Sequence, residues 1–252
     1  MNNDKNEENK QKIQATNAMV GCGIAVTTAS KTNELNSECN AFREALGTKS
    51  AENQSSLNDK LKTEPGFVGD RSKGISVAYE YEVADVKMGG KGSADWSQSE
   101  CSELLETGKV RGAEGHHINN VADHPDMQTN PDNIAFYKSR KSHLQEGHGG
   151  DFHNESSGPL VDKDKMLKRT NTQRVLKNEA TGIGIVAATG AAFGMAESIH
   201  NTCIEEGFSF KSVKKGVKKS AKPVAVSATV AVSSYALGRT FSYAFDYLLK
   251  NF

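Results

Sequence analysis

Two stretches near the C-terminus, ATGIGIVAATGAAFGMA (Ala180–Ala196) and PVAVSATVAVSSYALG (Pro223–Gly238), run for 17 and 16 residues without a charge. Small residues dominate both, and small residues let helices approach closely. Between them KSVKKGVKKSAK carries six lysines and no acid. The pattern predicts a C-terminal helical hairpin, residues 178–252, with a basic connector. Three uses are open to it. It can pack as a soluble accessory domain, present an oligomerisation or partner surface, or touch a membrane through 180–196 and 223–248. GAAFG at 190–194 matches the small-xxx-small pattern of helix pairs in lipid. Each run sits at or below the roughly 17-residue lower limit for a spanning helix, which favours the accessory domain. The lysine run can follow DNA, follow anionic headgroups, or be a solvated linker.

The N-terminal third differs. Residues 1–12 are polar and read as a fraying start, without the basic opening and apolar core of a secretory signal. QATNAMVGCGIAVTTAS (14–30) is uncharged, and ELNSECNAFREALG (34–47) reads as a short amphipathic helix ending at Gly47. Residues 48–66 are polar and close on Pro-Gly, a linker signal. ISVAYEYEVADVKMGG (75–90) alternates apolar and polar positions, which predicts a strand. DWSQSECSELLETGK (95–109) predicts a helix with Asp95 or Ser97 near its cap and Gly108 as its stop.

Six of the seven histidines fall between 116 and 153. Lys+Arg and Asp+Glu number 31 each, so any nucleic-acid footprint must be local. Four dispersed cysteines form no CxxC pair, which excludes the usual zinc ribbon and points mildly to a reducing, cytoplasmic setting. The histidine window holds GHH at 115–117, PDN at 131–133 and SHLQEGH at 142–148. Three well-placed imidazoles can bind a transition metal and leave positions for water or phosphate. Adjacent strand residues point to opposite faces. One of His116 and His117 can therefore face a metal while the other faces substrate.

GHHI, then PDNI, then a segment with spaced histidines resembles the HNH nucleases of the ββα-metal (His-Me finger) superfamily. Across roughly residues 75–162 the run is similar to the GHH-type HNH nucleases found in bacterial polymorphic toxins. The resemblance implies a ββα-metal HNH core at 67–162; with the helical or linker region at 1–66 and the C-terminal hairpin, the chain reads as an α+β protein. It implies His116, His143 and His148 as ligands of one divalent ion (Mg, Zn, Mn or Ni), His117 as general base, and Asn133 as the residue that holds the loop and orients His117. Arg140 and Lys141 are candidates for phosphate contact. The implied function is metal-dependent hydrolysis of phosphodiesters, DNA ahead of RNA, with little sequence preference, in a toxin or defence effector. An immunity or regulatory protein is the implied partner. The alternatives are a non-catalytic zinc-stabilised nucleic-acid-binding module and a membrane-associated effector acting through the C-terminal helices.

One spacing departs from the family. His143 and His148 are five apart, about 140° round an ideal helix. Gly147 offers a left-handed turn that would swing His148 back, with His153 as the substitute ligand. His124 reads as a surface residue, and Glu114 as a solvent-facing strand residue.

Overall fold

A computed structural model describes residues 2–251. The elements run α1 (Asn2–Thr63), α2 (Arg71–Lys87), α3 (Gln98–Thr107), β1 (Glu114–His117), β2 (Ile134–Tyr137), α4 (Arg140–Ser142), α5 (Lys163–Glu206), α6 (Phe210–Lys219) and α7 (Ala221–Asn251). The chain is mostly helical with one two-stranded antiparallel sheet, consistent with an α+β class. It divides into two compact units, residues 35–174 and residues 1–34 with 175–252.

Three expectations for the N-terminal third are corrected. Helix α1 begins at Asn2 rather than after a frayed start, with Lys10–Glu7 and Lys12–Glu8 pairs along its first turns. It continues through Gly47 and through the segment read as a linker, to Thr63. Cys39, Leu46 and Leu57 are the reason. They are buried and spaced by two and three helical turns, and no proline interrupts them before Pro65.

The third correction is α2, a helix where alternation suggested a strand. Gly74, Val77, Ala78, Tyr81 and Asp85 are buried at helical spacing. Tyr79 is buried too, because α2 is covered on two sides. Val77 and Tyr81 join Cys39, Leu46, Ala84, Met88 and Leu167 in one cluster. Tyr79 joins Trp96, Leu104, Val110, Ile134 and Phe136 in the other. A helix apolar on two faces mimics period-two alternation over a few residues.

The second cluster supports the sheet. Tyr79 packs on Phe136 of β2 with ring centroids 4.3 Å apart and the ring planes tilted by 42°. Trp96, fully buried, donates its indole N–H to Glu82 at 3.0 Å. Glu82 also accepts from Ser93 and from the buried Lys163, whose Nζ lies 3.3 Å away. Helix α3 starts at Ser97 with a capping box to Glu100 and ends at Gly108, which is left-handed at φ 76°.

In the other unit Ala25, Val186, Ala231 and Tyr235 form the core. Glycines set the spacing: a Cβ on Gly21 would lie 2.5 Å from the Ala231 carbonyl, and one on Gly190 would lie 2.7 Å from that of Ser227.

Candidate metal centre

Strands β1 and β2 pair with His116 opposite Ala135 and His117 opposite Ile134. His116 is buried, while His117 is half-buried on the opposite side of the pleat. The two side chains meet different partners, as strand geometry requires.

His116 Nδ1 lies 3.0 Å from His143 Nε2. The rings of His116 and His148 are 4.7 Å apart, centre to centre. One ligand atom from each of His116, His143 and His148 falls within 4.8 Å of the others. Nitrogens about 2.1 Å from a shared ion stand roughly 3–3.4 Å apart, so the cluster is near ligating separation. His148 Nδ1 is buried and has no hydrogen-bond partner, an unusual state for a ring nitrogen unless something else satisfies it. Burial, with the neighbouring imidazoles, depresses the His116 pKa to about 4. The ring is therefore neutral at physiological pH, the form that ligates. These donors fit a divalent transition metal.

The spacing of five is resolved by a different device from the one expected. Residues His143–Gly147 form a π turn, whose i→i+5 ring stacks residues five apart. His143 and His148 thereby share a face. Gly147 is not left-handed; that conformation falls on Gly149 and Gly150, at φ 60° and 96°. Gly147 matters for its missing side chain, since a Cβ there would lie 3.0 Å from His143 Cδ2 and 3.1 Å from the Tyr137 ring. His153 lines the same cleft without joining the ligand cluster.

Glu114 corrects a reading. Its Oε2 lies 2.6 Å from His143 Nδ1, so it accepts that N–H and leaves Nε2 bare toward His116. Carboxylate–histidine pairs of this kind fix the tautomer of metal ligands. The hydrogen bond from His143 holds the Glu114 carboxyl below its ordinary range. The signal was available: residues 114 and 116 of a strand share a face.

His117 is held differently. Its Nε2 is 3.1 Å from the Gln128 carbonyl, which can only accept. The neutral ring must donate from Nε2, leaving the Nδ1 lone pair free. Burial lowers its pKa, partly opposed by that hydrogen bond, and the Arg71 charge lowers it further. Gln128 is fully buried, and its side chain ties the backbone of Phe67, Gly69, Asp70 and Pro125 together. Gly74 admits the carbonyl, because a Cβ there would lie 2.6 Å from Gln128 O. Asn133, also fully buried, bonds Asn119 N at 2.8 Å and Asn119 O at 3.0 Å, closing the loop that begins two residues after His117.

His116, His117, His143 and His148 line a cleft of about 600 Å³, with Arg71 and Phe152 on its wall. Arg71, which opens α2, was missed because it lies before the segment read as strand (75–90) and reaches the cleft from another element. Arg140 pairs with Glu114 at 3.4 Å and covers the Phe152 ring at 4.7 Å, while Lys141 is exposed outside the cleft.

The arrangement is a three-histidine cluster that could hold a metal ion, with a fourth imidazole, His117, on the opposite face of the same strand. Residues 69–138 match the model of a family described as GHH signature containing HNH/Endo VII superfamily nuclease toxin. Over that segment the chain is similar to GHH-type HNH nuclease toxins, as the sequence resemblance implied. The match holds Glu114, His116, His117 and Asn133 but stops before His143. Among curated proteins, teneurin-m of Drosophila melanogaster is 32% identical over 69 residues, 27% of this chain and 2% of that protein. Teneurin-3 of Mus musculus is 29% identical over 68 residues, again 27% and 2%. The chain thus spans about 2% of the length of these relatives. No solved structure matches.

Proposed function

We propose that this chain is a divalent-metal-dependent endonuclease that hydrolyses phosphodiester bonds, DNA ahead of RNA and with little sequence preference. One observation carries the reading: three imidazoles converge on one point beside a fourth whose Nδ1 is free. β1, β2 and the helical turn through His148 would be a ββα-metal core within a nuclease domain at 67–162. A purely structural zinc site would be closed by a fourth ligand, and among the described residues the cluster holds three.

His116, His143 and His148 would hold the ion, which supplies a Lewis acid for charge developing on the phosphate. Glu114 keeps His143 in the ligating tautomer. His117 Nδ1 takes the proton from the attacking water, a transfer suited to an imidazole that is neutral at working pH. The Gln128 carbonyl stabilises the resulting imidazolium through the Nε2–H bond. Asn133 is a positioning residue that fixes the loop carrying Gln128. Arg71 and, at the cleft edge, Arg140 bind phosphate oxygens. The family's toxins suggest a toxin or defence role in the cytoplasm, with an immunity protein as partner.

Plasmid cleavage across a panel of Mg²⁺, Mn²⁺, Ni²⁺ and Zn²⁺, with and without EDTA, tests the proposal. Cleavage that requires metal and is lost in His117→Ala supports it. Bound zinc and DNA retention with no cleavage under any metal would replace it with the binding-module reading.

A further inference from the structure

The unit made by residues 1–34 and 175–252 turns much of its large apolar surface outward. Beside Val186 and Tyr235, its interior is built of Gly21, Ala25, Gly190, Ser227 and Ala231, with helix backbones in near contact. Several large apolar side chains point outward: Met19 is 68% exposed, Val26 59%, Ile185 51% and Leu237 60%. Among the described residues α5 is the one helix long and apolar enough to cross a membrane by itself, and only 28% of its apolar window is buried.

The apolar segments coincide in space. Gly21 meets Ala231 and Ser234, Gly238 meets Ala25, Gly182 meets Thr28, and Gly190 meets Ser227. Helices α1 and α7 therefore run parallel here, with α5 antiparallel to both. The contacts align three charge-free spans, residues 13–30, 180–196 and 223–238. At 1.5 Å per residue these spans are about 24–27 Å long, close to the roughly 30 Å hydrocarbon thickness of a bilayer. Lys12, Glu197 and Lys222 mark one edge of the band, and Lys31, Glu179 and Arg239 the other. Long cationic side chains at such edges can reach the headgroups.

The two edges differ in chemistry. Beyond the first lies α6, whose Gly216 packs on Ile199 while Ser198 donates to the Gly216 carbonyl at 2.8 Å. α6 carries Lys211, Lys214, Lys215, Lys218 and Lys219, and Lys222 follows at the start of α7; Lys215 pairs with Glu206 and Lys219 with Glu205. Phe208 and Phe210 beside it are 89% and 85% exposed. Past the second edge α7 exposes Phe241, Tyr243 and Phe245, amphipathic and aromatic groups of the kind enriched at membrane interfaces. The polar groups at that edge are paired within the unit: Glu179 accepts from Thr32 at 2.8 Å and Tyr235 at 2.9 Å, and also binds Arg239.

We propose that this unit embeds in a phospholipid bilayer as a three-helix bundle, its charge-free band in the hydrocarbon and α6 against anionic headgroups. The charge-free lengths, their alignment, the small-residue packing expected where lipid cannot drive helices together, and the basic edge all agree with lipid as the occupant.

The test uses the full chain with vesicles of phosphatidylethanolamine and phosphatidylglycerol, floated through a density gradient in high salt. The protein should float. Cys22, exposed in the middle of the α1 span, should react at least about tenfold more slowly with a membrane-impermeant maleimide once vesicles are present, a drop that follows from exclusion of water and polar reagent from the bilayer core. Met19→Lys and Ile185→Lys, exposed positions near the middle of their spans, should each lower partitioning about a hundredfold, the penalty for lysine at a bilayer centre. Both positions are exposed, so helical circular dichroism and plasmid cleavage should be retained, which separates this proposal from the nuclease reading. Three results would overturn it: a parent that stays in the aqueous fraction as a monomer or oligomer, flotation that high salt abolishes while Cys22 still reacts, or lysine variants that float like the parent.

Discussion

Replacing Glu114 by glutamine tests whether its carboxylate prepares His143 to bind metal. The carboxylate accepts the His143 Nδ1–H at 2.6 Å. Glutamine can still accept that proton, but as a neutral group, or it can turn its amide N–H toward Nδ1. The second arrangement would force the proton onto Nε2, the atom 3.0 Å from His116 Nδ1, and block ligation. A hydrogen bond to a charged partner contributes about 1.5–3 kcal/mol, against about 1 for a neutral one. The difference, about 1–2 kcal/mol, is roughly a 5- to 30-fold loss of metal affinity, within reach of the 10- to 100-fold usual for such partners. Loss of the exposed Arg140 pair adds little. Calorimetric titration with Zn²⁺ or Ni²⁺ should show a Kd about tenfold higher for Glu114→Gln. Plasmid cleavage should need about tenfold more metal yet reach the parent's plateau rate. Unchanged affinity would refute the tautomer argument. A plateau that stays low at any metal concentration would refute it differently, placing Glu114 in the chemistry rather than behind His143.

Four further outcomes are expected. His117→Ala should cut cleavage at least about a hundredfold, the contribution usual for a general base, while calorimetry shows metal binding intact. Gly74→Ala places a Cβ 2.6 Å from the Gln128 carbonyl and should lower kcat about tenfold, through misplacement of His117, with metal Kd unchanged. His116 stays neutral in the folded protein down to about pH 4 but protonates near pH 6.5 when unfolded. The unfolded chain therefore binds the extra proton between those values, and metal-free protein should lose up to about 3 kcal/mol of stability as pH falls from about 6.5 to about 4. Thermal melts in EDTA read the effect, and His116→Asn should flatten it. Lys163→Met strands the buried Glu82 carboxylate and should destabilise residues 35–174 by about 3–5 kcal/mol in urea titrations.

The site was more legible in the sequence than the fold around it, for a physical reason. That His116 and His117 face opposite ways follows from strand pleating, while their separate roles and that of Asn133 come from the family resemblance. The route by which His148 arrives depends on a π turn, and the difference between π and α closure is one residue of backbone register that side-chain chemistry does not announce. Arg71, Gly74 and Gln128 were illegible because they act across elements. A carbonyl that orients His117 has no side-chain signature, and a helical glycine reads only as a weak helix former until the strand of backbone lying against it is known. The long α1 was hidden by composition: Leu46 and Leu57 are enough to bury its face, and a polar sequence between them looks like a linker.

The uncharged stretches show the complementary limit. Each of 14–30, 180–196 and 223–238 is legible alone as a small-residue helix, but periodicity cannot say whether large or small residues face inward when no side of a helix is charged. That choice is made by neighbours. Gly21 against Ala231 and Gly190 against Ser227 put small residues inside beside Val186 and Tyr235, and the same contacts turn Val26, Ile185 and Leu237 out. In water such packing exposes the apolar area that normally drives a bundle together. In lipid those outward side chains lose nothing by exposure, and close backbone packing becomes the main attraction. The arrangement of small and large residues, rather than mean apolarity, is what distinguishes the two solvents here.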